Sequence, residues 1–271
     1  MIAGETVLER NHRIFGVEHP VALVTGSRAP RVGNAIAALL EDQGFQLVYH
    51  GHREDSGQAS GNSPDASSTV FGAVEEERNV RQWCEQILGH HGRIDLLVNS
   101  AAIWEPKDLE ETSSQDFTRF FEVNSLGVAL LCKHFGLAMV KQASGGAIIN
   151  IGDWAVARPY PDFSAYFLSK GGLETLTRTM AVELAHRNPR IRVNAILPGP
   201  VLLADEIDAQ REQRIVEESL LKRAGTAEDV ATAALFLATS LFVTGVCLPV
   251  DGGRSIHAGV NSDAIAHPRV S

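Results

Sequence analysis

Seven short apolar runs alternate along the chain with stretches of helical periodicity. Most runs are almost continuously apolar, which is typical of parallel strands covered by helices on both faces. This alternation predicts an α/β fold with a doubly wound, seven-stranded parallel sheet and helices on both faces. The predicted strands are Val21–Thr25, Gln46–His50, Thr69–Ala73, Ile94–Asn99, Ala147–Ile151, Ile191–Ile196 and Val246–Val250. The predicted helices are Gly33–Gln43, Val80–His91, Asp116–Lys141, Ser164–His186 and Ala227–Thr239.

The length of 271 residues suits one large α/β domain. We predict an N-terminal extension at residues 1–19, a dinucleotide-binding catalytic domain at 20–255 and a C-terminal tail at 256–271. The connection Glu54–Ser68 is rich in Gly, Ser and Asp and lacks apolar periodicity, so we expect a mobile loop. The polar stretch Gly252–Ser271 is expected to be a tail or an arm that reaches a neighbouring subunit.

Composition and charge exclude several classes of function. Hydrophobic residues make up 44% of the chain and charged residues 21%, as in soluble globular proteins. The net charge of −9 argues against general binding to nucleic acids, although it permits one local basic pocket for a phosphorylated cofactor. Neither a run of 18 apolar residues nor a secretory leader is found, so we expect no membrane contact and a cytoplasmic location.

Cysteine and histidine usage gives no indication of a metal or a disulfide. The three cysteines, Cys84, Cys132 and Cys247, are odd in number, far apart and without a CxxC motif. The histidines are not clustered at metal-ligand spacing. We therefore expect neither a disulfide framework nor a metal site.

The first predicted strand leads into TGSRAPRVG, which has the composition of a phosphate-binding turn. Gly26 permits a tight turn, and Gly33 lets the following helix pack closely on the strand. The N-terminus of that helix, which begins at about Gly33, offers unpaired N–H groups to a pyrophosphate. Arg28 and Arg31 can pair with phosphate directly. An ordinary strand-to-helix turn is the alternative interpretation.

The end of the second predicted strand bears on the choice between the two nicotinamide cofactors. A carboxylate at this place bonds the ribose hydroxyls of NAD, whereas arginine accommodates the 2′-phosphate of NADP. His52 and Arg53 occupy the turn, so the sequence favours NADP. Glu54 and Asp55 follow at once and could partly neutralise the site, and Arg53 could equally be a solvated surface charge.

Tyr166 and Lys170 form a Tyr-x-x-x-Lys motif at the start of a predicted helix. The spacing places both side chains on one helical face. A phenol has an ordinary pKa near 10, and a neighbouring ammonium lowers that pKa by favouring the phenolate. Such a pair can exchange a proton with a carbonyl or an imine while a hydride moves. Such a pair often arises by chance, but this one follows the fifth strand of a dinucleotide fold.

These residues belong to segments that resemble the short-chain dehydrogenase/reductase family over roughly residues 20–254. The matching segments are TGSRAPRVG, LLVNSAA, FEVNSLG, AYFLSK, VNAILPGP and VTGVCLPVDGG. The resemblance implies a single Rossmann-type domain with seven parallel strands, acting on a small-molecule substrate with a nicotinamide cofactor. It also implies a homo-oligomer, a tetramer or a dimer, formed through the long helices that carry Asn124 and Tyr166.

The resemblance also implies roles for individual residues. Asn124 would hold a water in a proton relay with Lys170, which would also bond the nicotinamide ribose. The remaining residues expected along the cofactor are Asn99, Ser100, Ala101, Tyr166, Pro198 and Gly199, together with Gly26, Arg31, Val32, Gly33, His52 and Arg53.

Several departures from the family pattern point to one subgroup. The family's usual serine, thirteen residues before the tyrosine, is Asp153, and Ala73 replaces an acidic residue that usually meets adenine. Pteridine and dihydromonapterin reductases resemble the chain in this aspartate, in the Arg31-Val32-Gly33 loop and in the His52-Arg53 pair. An aromatic residue of theirs that sandwiches the pterin corresponds to Trp104. The alternatives are that Asp153 merely caps a helix and that Trp104 is a partly buried loop residue.

Three hypotheses follow. The first is an NADPH-dependent reductase that transfers hydride to a pterin-like C=N substrate, with the proton supplied by Tyr166 and Asp153. In it, burial raises the pKa of Asp153 against the opposing charge of Lys170. The second is a general short-chain carbonyl reductase, and the third is a non-catalytic NADP-binding sensor. The sequence leaves the physiological substrate and the reaction direction open, because Val201–Leu221, which would cover the substrate, has no interpretable pattern.

Overall fold

The computed structural model describes residues 4–53, 68–201 and 209–257, with the backbone alone at 209–211 and 214. Apart from Ser68, the predicted loop Glu54–Ser68 lies outside the described residues. So does the predicted tail beyond His257.

All seven strands are parallel and form one sheet in the order β3-β2-β1-β4-β5-β6-β7. This arrangement confirms the predicted fold class. The order reverses direction between β1 and β4, and ligands of open α/β sheets bind in the crevice outside the carboxyl ends of strands at such a point. The strands are β1 Val21–Val24, β2 Gln46–Gly51, β3 Thr69–Phe71, β4 Leu96–Asn99, β5 Gly146–Ile151, β6 Ile191–Pro198 and β7 Cys247–Val250.

The described residues include nine α-helices, several short 3-10 turns and one π turn. The helices are α1 Val7–Phe15, α2 Val32–Asp42, α3 Glu77–His91, α4 Ser114–Phe121, α5 Gly127–Val140, α6 Ser164–Gly171, α7 Leu173–Arg187, α8 Ala209–Glu218 and α9 Ala227–Thr239. A π turn at Glu122–Leu126 joins α4 to α5, and a 3-10 turn at Trp154–Ala157 follows β5.

Two of the predicted helices are each interrupted in the structure. The prediction Asp116–Lys141 contains the π turn at Glu122–Leu126, which inserts one extra residue into the helical turn. The prediction Ser164–His186 is broken at Gly172, which follows Gly171. Two consecutive glycines have low helix propensity, and Gly172 keeps a right-handed helical backbone, so the interruption is limited to one residue.

The apolar core lies on both faces of the sheet because side chains alternate along each strand. On β1, Val21 and Leu23 pack on one face against α3, α5 and α7, whereas Ala22 and Val24 pack on the other face against α2 and α9. Each of the four side chains is at most 1% exposed. A strand that is buried on both faces has no polar side, which explains why the sequence runs are continuously apolar.

The N-terminal segment forms a helix that packs on this same core. Thr6 and Glu9 make a capping box at the start of α1. Phe15 is 2% exposed and meets Phe45 edge-on with ring centres 5.5 Å apart. The buried Asn11 donates from Nδ2 to the Gln43 carbonyl oxygen at 2.9 Å. The segment expected to be an extension is thus a structured part of the fold, while the predicted domain limits stay a prediction.

One helical stretch of the described chain, Ser114–Val140, is long and apolar enough to cross a membrane by length and composition alone. Half of its most apolar window is buried inside the fold. Leu131 and Phe135 on α5 pack in the core against the sheet. The stretch therefore has the burial of a core helix of the fold. Core helices can also be long and apolar enough to cross a membrane.

Candidate active site

The turn between β1 and α2 packs directly on the carboxyl end of β4. Gly26 has a φ of +69°, and a Cβ atom there would lie 2.9 Å from Ala101 Cα. A Cβ atom at Gly33 would lie 3.0 Å from the Gly26 carbonyl oxygen and from Ser100 Oγ. Thr25 Oγ1 accepts the backbone N–H groups of Ser100 and Ala101, each at 3.0 Å. Glycine is therefore required at position 26, a side chain at position 33 would have to displace its neighbours, and Ser100 and Ala101 form a wall of the turn.

Arg31 and Val32 lie at the start of α2, which begins one residue before the predicted Gly33. Arg31 is the N-cap residue and Val32 the first helical residue, and no side chain of the described chain caps this helix. The first-turn N–H groups can therefore bind an anionic group. The Arg28 guanidinium lies over the Phe71 ring, 5.3 Å from its centre, at the end of β3. This cation–π contact places Arg28 beside the carboxyl end of the sheet.

His50 joins three parts of the site that the sequence analysis did not connect. Its Nδ1 accepts the Gly26 backbone N–H at 3.0 Å, so Nε2 carries the proton that it donates to the Gly72 carbonyl oxygen at 3.0 Å. Burial lowers the pKa of His50 to about 4, which keeps the ring neutral near pH 7. The available signal was a histidine at the end of an apolar strand, next to the glycine turn.

His52 and Arg53 are exposed residues directly after β2. Glu54 and Asp55, which could partly neutralise them, lie outside the described residues. The role of the pair in cofactor choice therefore stays a prediction.

Asn99 is buried at the carboxyl end of β4 with one hydrogen-bonding atom unsatisfied. Its Nδ2 donates to Asn150 Oδ1 at 2.8 Å, whereas its Oδ1 has no partner among the described residues. Asn150 in turn donates to Thr177 Oγ1 at 2.9 Å, which fixes the orientation of both amides. A buried acceptor without a partner costs about 1–3 kcal/mol. A ligand that brings a donor to Asn99 would recover this energy.

Asp153 and Tyr166 are hydrogen-bonded to one another. Asp153 Oδ1 accepts the Ala155 backbone N–H at 2.7 Å at the start of the 3-10 turn, and Oδ2 accepts the Tyr166 hydroxyl at 2.7 Å. Lys170 follows Tyr166 by one turn of α6, and its Nζ donates to the Ile151 carbonyl oxygen at 2.9 Å. Tyr166 and Lys170 are both buried, at 6% and 4% exposure, so α6 turns this face inward.

Burial perturbs the pKa of each of these three groups. It raises the pKa of Asp153 against the opposing effects of the Tyr166 and Ala155 hydrogen bonds and the Lys170 charge. This direction confirms the prediction for Asp153. Burial also lowers the pKa of Lys170 to about 8, with the Asp153 charge opposing the change.

The prediction that Lys170 lowers the pKa of Tyr166 is wrong for this arrangement. Burial and then the Asp153 charge raise the pKa of Tyr166 well above its usual value. The Lys170 ammonium is bonded to the Ile151 carbonyl oxygen, whereas the Asp153 carboxyl touches the phenol directly. The nearest charged partner of Tyr166 is therefore an acid, and the phenol keeps its proton.

Asn124 lies in the π turn between α4 and α5. Its Oδ1 accepts the Ile103 N–H at 2.9 Å, and its Nδ2 donates to the Ile103 carbonyl oxygen and to Ser169 Oγ, each at 3.0 Å. The side chain thereby fixes the loop after β4 to α6. π turns inside α-helices are frequent at functional sites. The water-mediated relay from Asn124 to Lys170 stays a prediction.

Trp104 belongs to an aromatic wall beside Tyr166. Its ring is stacked on Phe163, with centres 4.9 Å apart and planes inclined by 18°, and 41% of the residue is exposed. Phe163 in turn meets Tyr166 and Tyr160 edge-on at 6.4 and 5.1 Å. Phe163 was not predicted from the sequence, although an aromatic residue three positions before Tyr166 was a visible signal.

Pro198 and Gly199 lie at the carboxyl end of β6, beside β7. Gly199 donates its N–H to the Val250 carbonyl oxygen at 2.9 Å, and a Cβ atom at Gly199 would lie 2.6 Å from Asp251 Cα. The site residues predicted along the cofactor thus lie at the carboxyl ends of β1, β2, β4 and β6, or in the loops and helices that follow the strands.

These residues fit a dinucleotide. The close glycine turn and the uncapped start of α2 suit a pyrophosphate, and the unsatisfied Asn99 Oδ1 suits a donor group. Within the described residues, no three His, Cys, Asp or Glu side chains are grouped as metal ligands. A doubly wound sheet with Tyr166 and Lys170 beside such a cradle defines an oxidoreductase that uses a nicotinamide cofactor.

Comparisons with known proteins agree with this class. A sequence model described as Enoyl-(Acyl carrier protein) reductase matches residues 30–255. The chain is 33% identical over 236 residues to human 3-oxoacyl-[acyl-carrier-protein] reductase, covering 87% of this chain and 97% of the relative. It is also 33% identical over 236 residues to carbonyl reductase family member 4 of Xenopus laevis, covering 87% and 98%.

A solved structure extends the comparison to the fold. The aldohexose dehydrogenase of Thermoplasma acidophilum, in ligand-free form, superposes with a TM-score of 0.77 at 28% identity. The match covers 89% of this chain and 96% of that one. The chain therefore belongs to the short-chain dehydrogenase/reductase family.

Proposed function

We propose that this protein is an NADPH-dependent reductase of planar heteroaromatic substrates that carry a C=N bond, such as dihydropterins. The observation that supports this most is the bond between the Tyr166 hydroxyl and Asp153 Oδ2 at 2.7 Å, together with the raised pKa of Asp153. The stacked pair Trp104 and Phe163 beside Tyr166 would offer a flat apolar face to such a ring.

The residue at position 153 bears on the kind of atom that is protonated. A serine hydroxyl donates a hydrogen bond to the developing charge on a carbonyl oxygen, whereas a protonated carboxyl can deliver a full proton to a ring nitrogen. Asp153 Oδ1 is held by the Ala155 N–H, so Oδ2 is the oxygen suited to carry that proton. Tyr166 donates its hydroxyl hydrogen bond to the same Oδ2 and so fixes the direction in which this oxygen points.

Lys170 and Asn124 assist Asp153 and Tyr166 in different ways. The Lys170 ammonium opposes the rise in the pKa of Asp153 that burial causes. Asn124 fixes Ile103, in the loop after β4, to α6. Trp104 is the next residue in that loop. A reduced nicotinamide bound in the crevice would supply the hydride.

For the cofactor, we propose NADPH over NADH. Arg53, assisted by His52 and Arg31, would pair with the 2′-phosphate, because arginine forms charge-assisted hydrogen bonds with phosphate oxygens. Arg28 lies beside the same strand ends and adds positive charge to this edge.

A second candidate is a general carbonyl reductase, and the relatives favour it. They include proteins named 3-oxoacyl-[acyl-carrier-protein] reductase and carbonyl reductase family member 4. Tyr166 and Lys170 would protonate a carbonyl oxygen in such an enzyme. A third reading, a non-catalytic NADP-binding sensor, receives no support from a site that retains both residues.

A screen of NADPH oxidation separates the three. Dihydrobiopterin, dihydromonapterin and dihydrofolate are compared with acetoacetyl thioesters and simple quinones at equal concentration. We expect turnover with at least one dihydropterin and little with the thioesters. Rapid reduction of the thioesters, with neither turnover nor binding of any dihydropterin, would replace this proposal by the carbonyl reductase. Binding of NADPH with no turnover of any compound would favour the sensor.

A further inference from the structure

Arg254 lies where three segments meet, namely the 3-10 turn after Asp153, the end of α8 and its own segment 251–257. Its guanidinium stands over the Trp154 ring, 5.0 Å from the ring centre. The same guanidinium pairs with Glu218, the last residue of α8. The Arg254 side chain is 15% exposed, whereas Glu218 is half exposed, so the pair is partly withdrawn from solvent.

Arg158 also joins the 3-10 turn to the segment that contains Arg254. Arg158, which ends the 3-10 turn Trp154–Ala157, donates from one Nη1 to the carbonyl oxygens of Arg254 and His257 at 2.8 and 2.5 Å. The backbone before Arg254 is fixed as well, because Asp251 Oδ1 accepts the Gly253 N–H at 2.9 Å. The turn and the segment 251–257 therefore hold one another at two points.

The contact between Arg254 and Trp154 connects Arg254 to Asp153. Trp154 directly follows Asp153, and Asp153 Oδ1 is bonded to the next residue of the same turn, Ala155. Any shift of Trp154 would therefore move the carboxyl that faces Tyr166. On the other side, Ile215 of α8 and Ser219, which follows the helix, line a small cavity together with Gly199 at the end of β6. Arg254 thus contacts both the 3-10 turn after Asp153, through Trp154, and α8, through Glu218.

We propose that Arg254 is a positioning residue. It holds α8 over the substrate side of the site, in a fixed position relative to the 3-10 turn Trp154–Ala157 that follows Asp153. The proposal rests on the reductase activity and on α8 as a substrate cover, but not on the identity of the substrate. Arg254 itself touches neither Asp153 nor Tyr166 among its described contacts. Its effect therefore reaches the substrate through Trp154 and Glu218.

Two substitutions separate the charge from the packing of the side chain. Arg254→Met keeps the apolar stem but loses the ion pair and the cation–π contact, whereas Arg254→Lys keeps both in weaker form. For Arg254→Met we expect the KM of the reduced substrate to rise by about tenfold, the size of a partly desolvated cation–π contact. The KM for NADPH should stay within about twofold, because Arg254 is not among the cofactor residues. Arg254→Lys should recover most of the loss.

Amide hydrogen exchange provides a second readout that needs no substrate. Amides of residues 212–218 should exchange faster in Arg254→Met than in wild type, while those of α9 stay unchanged. The matched control is Arg187→Ala, which removes an exposed arginine paired with Glu183 on α7 and should change neither readout.

Several outcomes would overturn the proposal. These are unchanged exchange in α8, equal losses in the Met and Lys variants, or a KM for NADPH that rises as much as that for substrate. If the screen finds no substrate at all, the proposed function fails. Faster exchange in α8 of Arg254→Met would then still support the role of Arg254 in holding α8, and unchanged exchange would still refute it.

Discussion

Asp153 uses its two carboxyl oxygens for different purposes. Oδ1 accepts the Ala155 N–H and fixes the side chain, whereas Oδ2 faces the Tyr166 hydroxyl. The sequence left open whether this residue is a helix cap or a functional acid, and the geometry combines both. A capped carboxyl has a single orientation, so its second oxygen is presented to Tyr166 without loss of side-chain entropy on binding.

The pH dependence of turnover tests the protonated form of Asp153. A group whose pKa is raised by burial is protonated below that pKa, so activity that needs the proton falls as the pH rises through it. Asp153→Ser should remove this decrease and lower dihydropterin turnover by about 10²-fold or more. In this variant turnover should still fall with rising pH as Lys170 loses its proton. That fall should occur below the present Lys170 pKa of about 8, because the Asp153 charge no longer raises the pKa of Lys170. A wild-type profile flat from pH 5 to pH 9 would contradict this role.

Replacement of Tyr166 by phenylalanine tests the proton source. Tyr166→Phe removes the hydroxyl that donates to Asp153 Oδ2 but keeps the ring that packs on Phe163. Turnover should fall by about 10²-fold or more, the usual size of one general acid. The dissociation constant of NADPH, measured by fluorescence titration, should stay within about twofold. Full activity in this variant would mean that Asp153 or water supplies the proton alone.

Cofactor selection depends on Arg53 in our proposal. A charge-assisted bond to phosphate contributes about 1.5–3 kcal/mol, or roughly tenfold to a hundredfold in affinity. Titrations should show that preference for NADPH over NADH in wild type, and Arg53→Ala should remove most of it without a change in melting temperature. Equal affinity of the wild type for both cofactors would refute the assignment.

Sequence patterns predicted the residues whose roles depend on local spacing. Tyr166 and Lys170 share a helical face because they are four positions apart, and Gly26 and Gly33 bracket a turn between a strand and a helix. His50 could not be predicted in this way, because its partner Gly72 follows another strand. Contacts between segments distant in sequence depend on strand order, which periodicity does not contain.

At the scale of elements, α1 offers the clearest test. Its Phe15 is buried against Phe45, so Phe15→Ala should lower the free energy of unfolding by about 3–5 kcal/mol, as for other buried aromatic residues. Leu8→Ala on the same helix is the control, because Leu8 is 39% exposed and should cost far less. Urea unfolding provides the measurement. Equal small losses in both variants would show that α1 does not belong to the cooperative core.

The elements also show where periodicity loses information. It predicted helices over α4 and α5 and over α6 and α7, but not the π turn or the break at Gly172 between them. A single inserted residue changes the apolar period by little, so the π turn is hidden in the sequence. α1 was missed because its apolar residues Ile14 and Phe15 are few and its buried face also includes the polar Arg10 and Asn11.

The whole sheet explains why residues from five distant segments form one site. Parallel strands place all their carboxyl ends at the same edge, and the reversal between β1 and β4 opens the crevice there. Alternation of strands and helices was sufficient to predict this architecture. Homo-oligomerisation and a cytoplasmic location stay predictions. The exposed Leu168, Val182 and Phe242 are apolar surface that a second copy of the chain could cover.

The stability of the whole molecule should depend on pH through His50. The folded chain holds this ring neutral with a pKa of about 4, below the ordinary 6.5, so unfolding in mild acid takes up a proton. A depressed pKa gives stability that is complete above pH 6.5 and is lost as the pH falls towards 4. His50 should therefore lower the free energy of unfolding in urea by about 2 kcal/mol between pH 7 and pH 5, and the raised pKa of Asp153 opposes part of this decrease. The carboxylates in ion pairs affect stability at lower pH, because Glu77 and Asp229 have pKa values of about 2.

Substitution of His50 separates this titration from the loss of contacts. His50→Asn keeps an oxygen that can accept the Gly26 N–H but loses the bond to Gly72, so stability at pH 7 should drop while the dependence of stability on pH between 7 and 5 becomes much weaker. His91, whose pKa is also lowered by burial, acts in the same direction, and His91→Asn should remove a smaller part of the slope because that ring is less buried. A His50→Asn variant with the full wild-type slope would place the titration elsewhere. His50 would then carry a proton in the folded chain, in conflict with its bond from the Gly26 N–H.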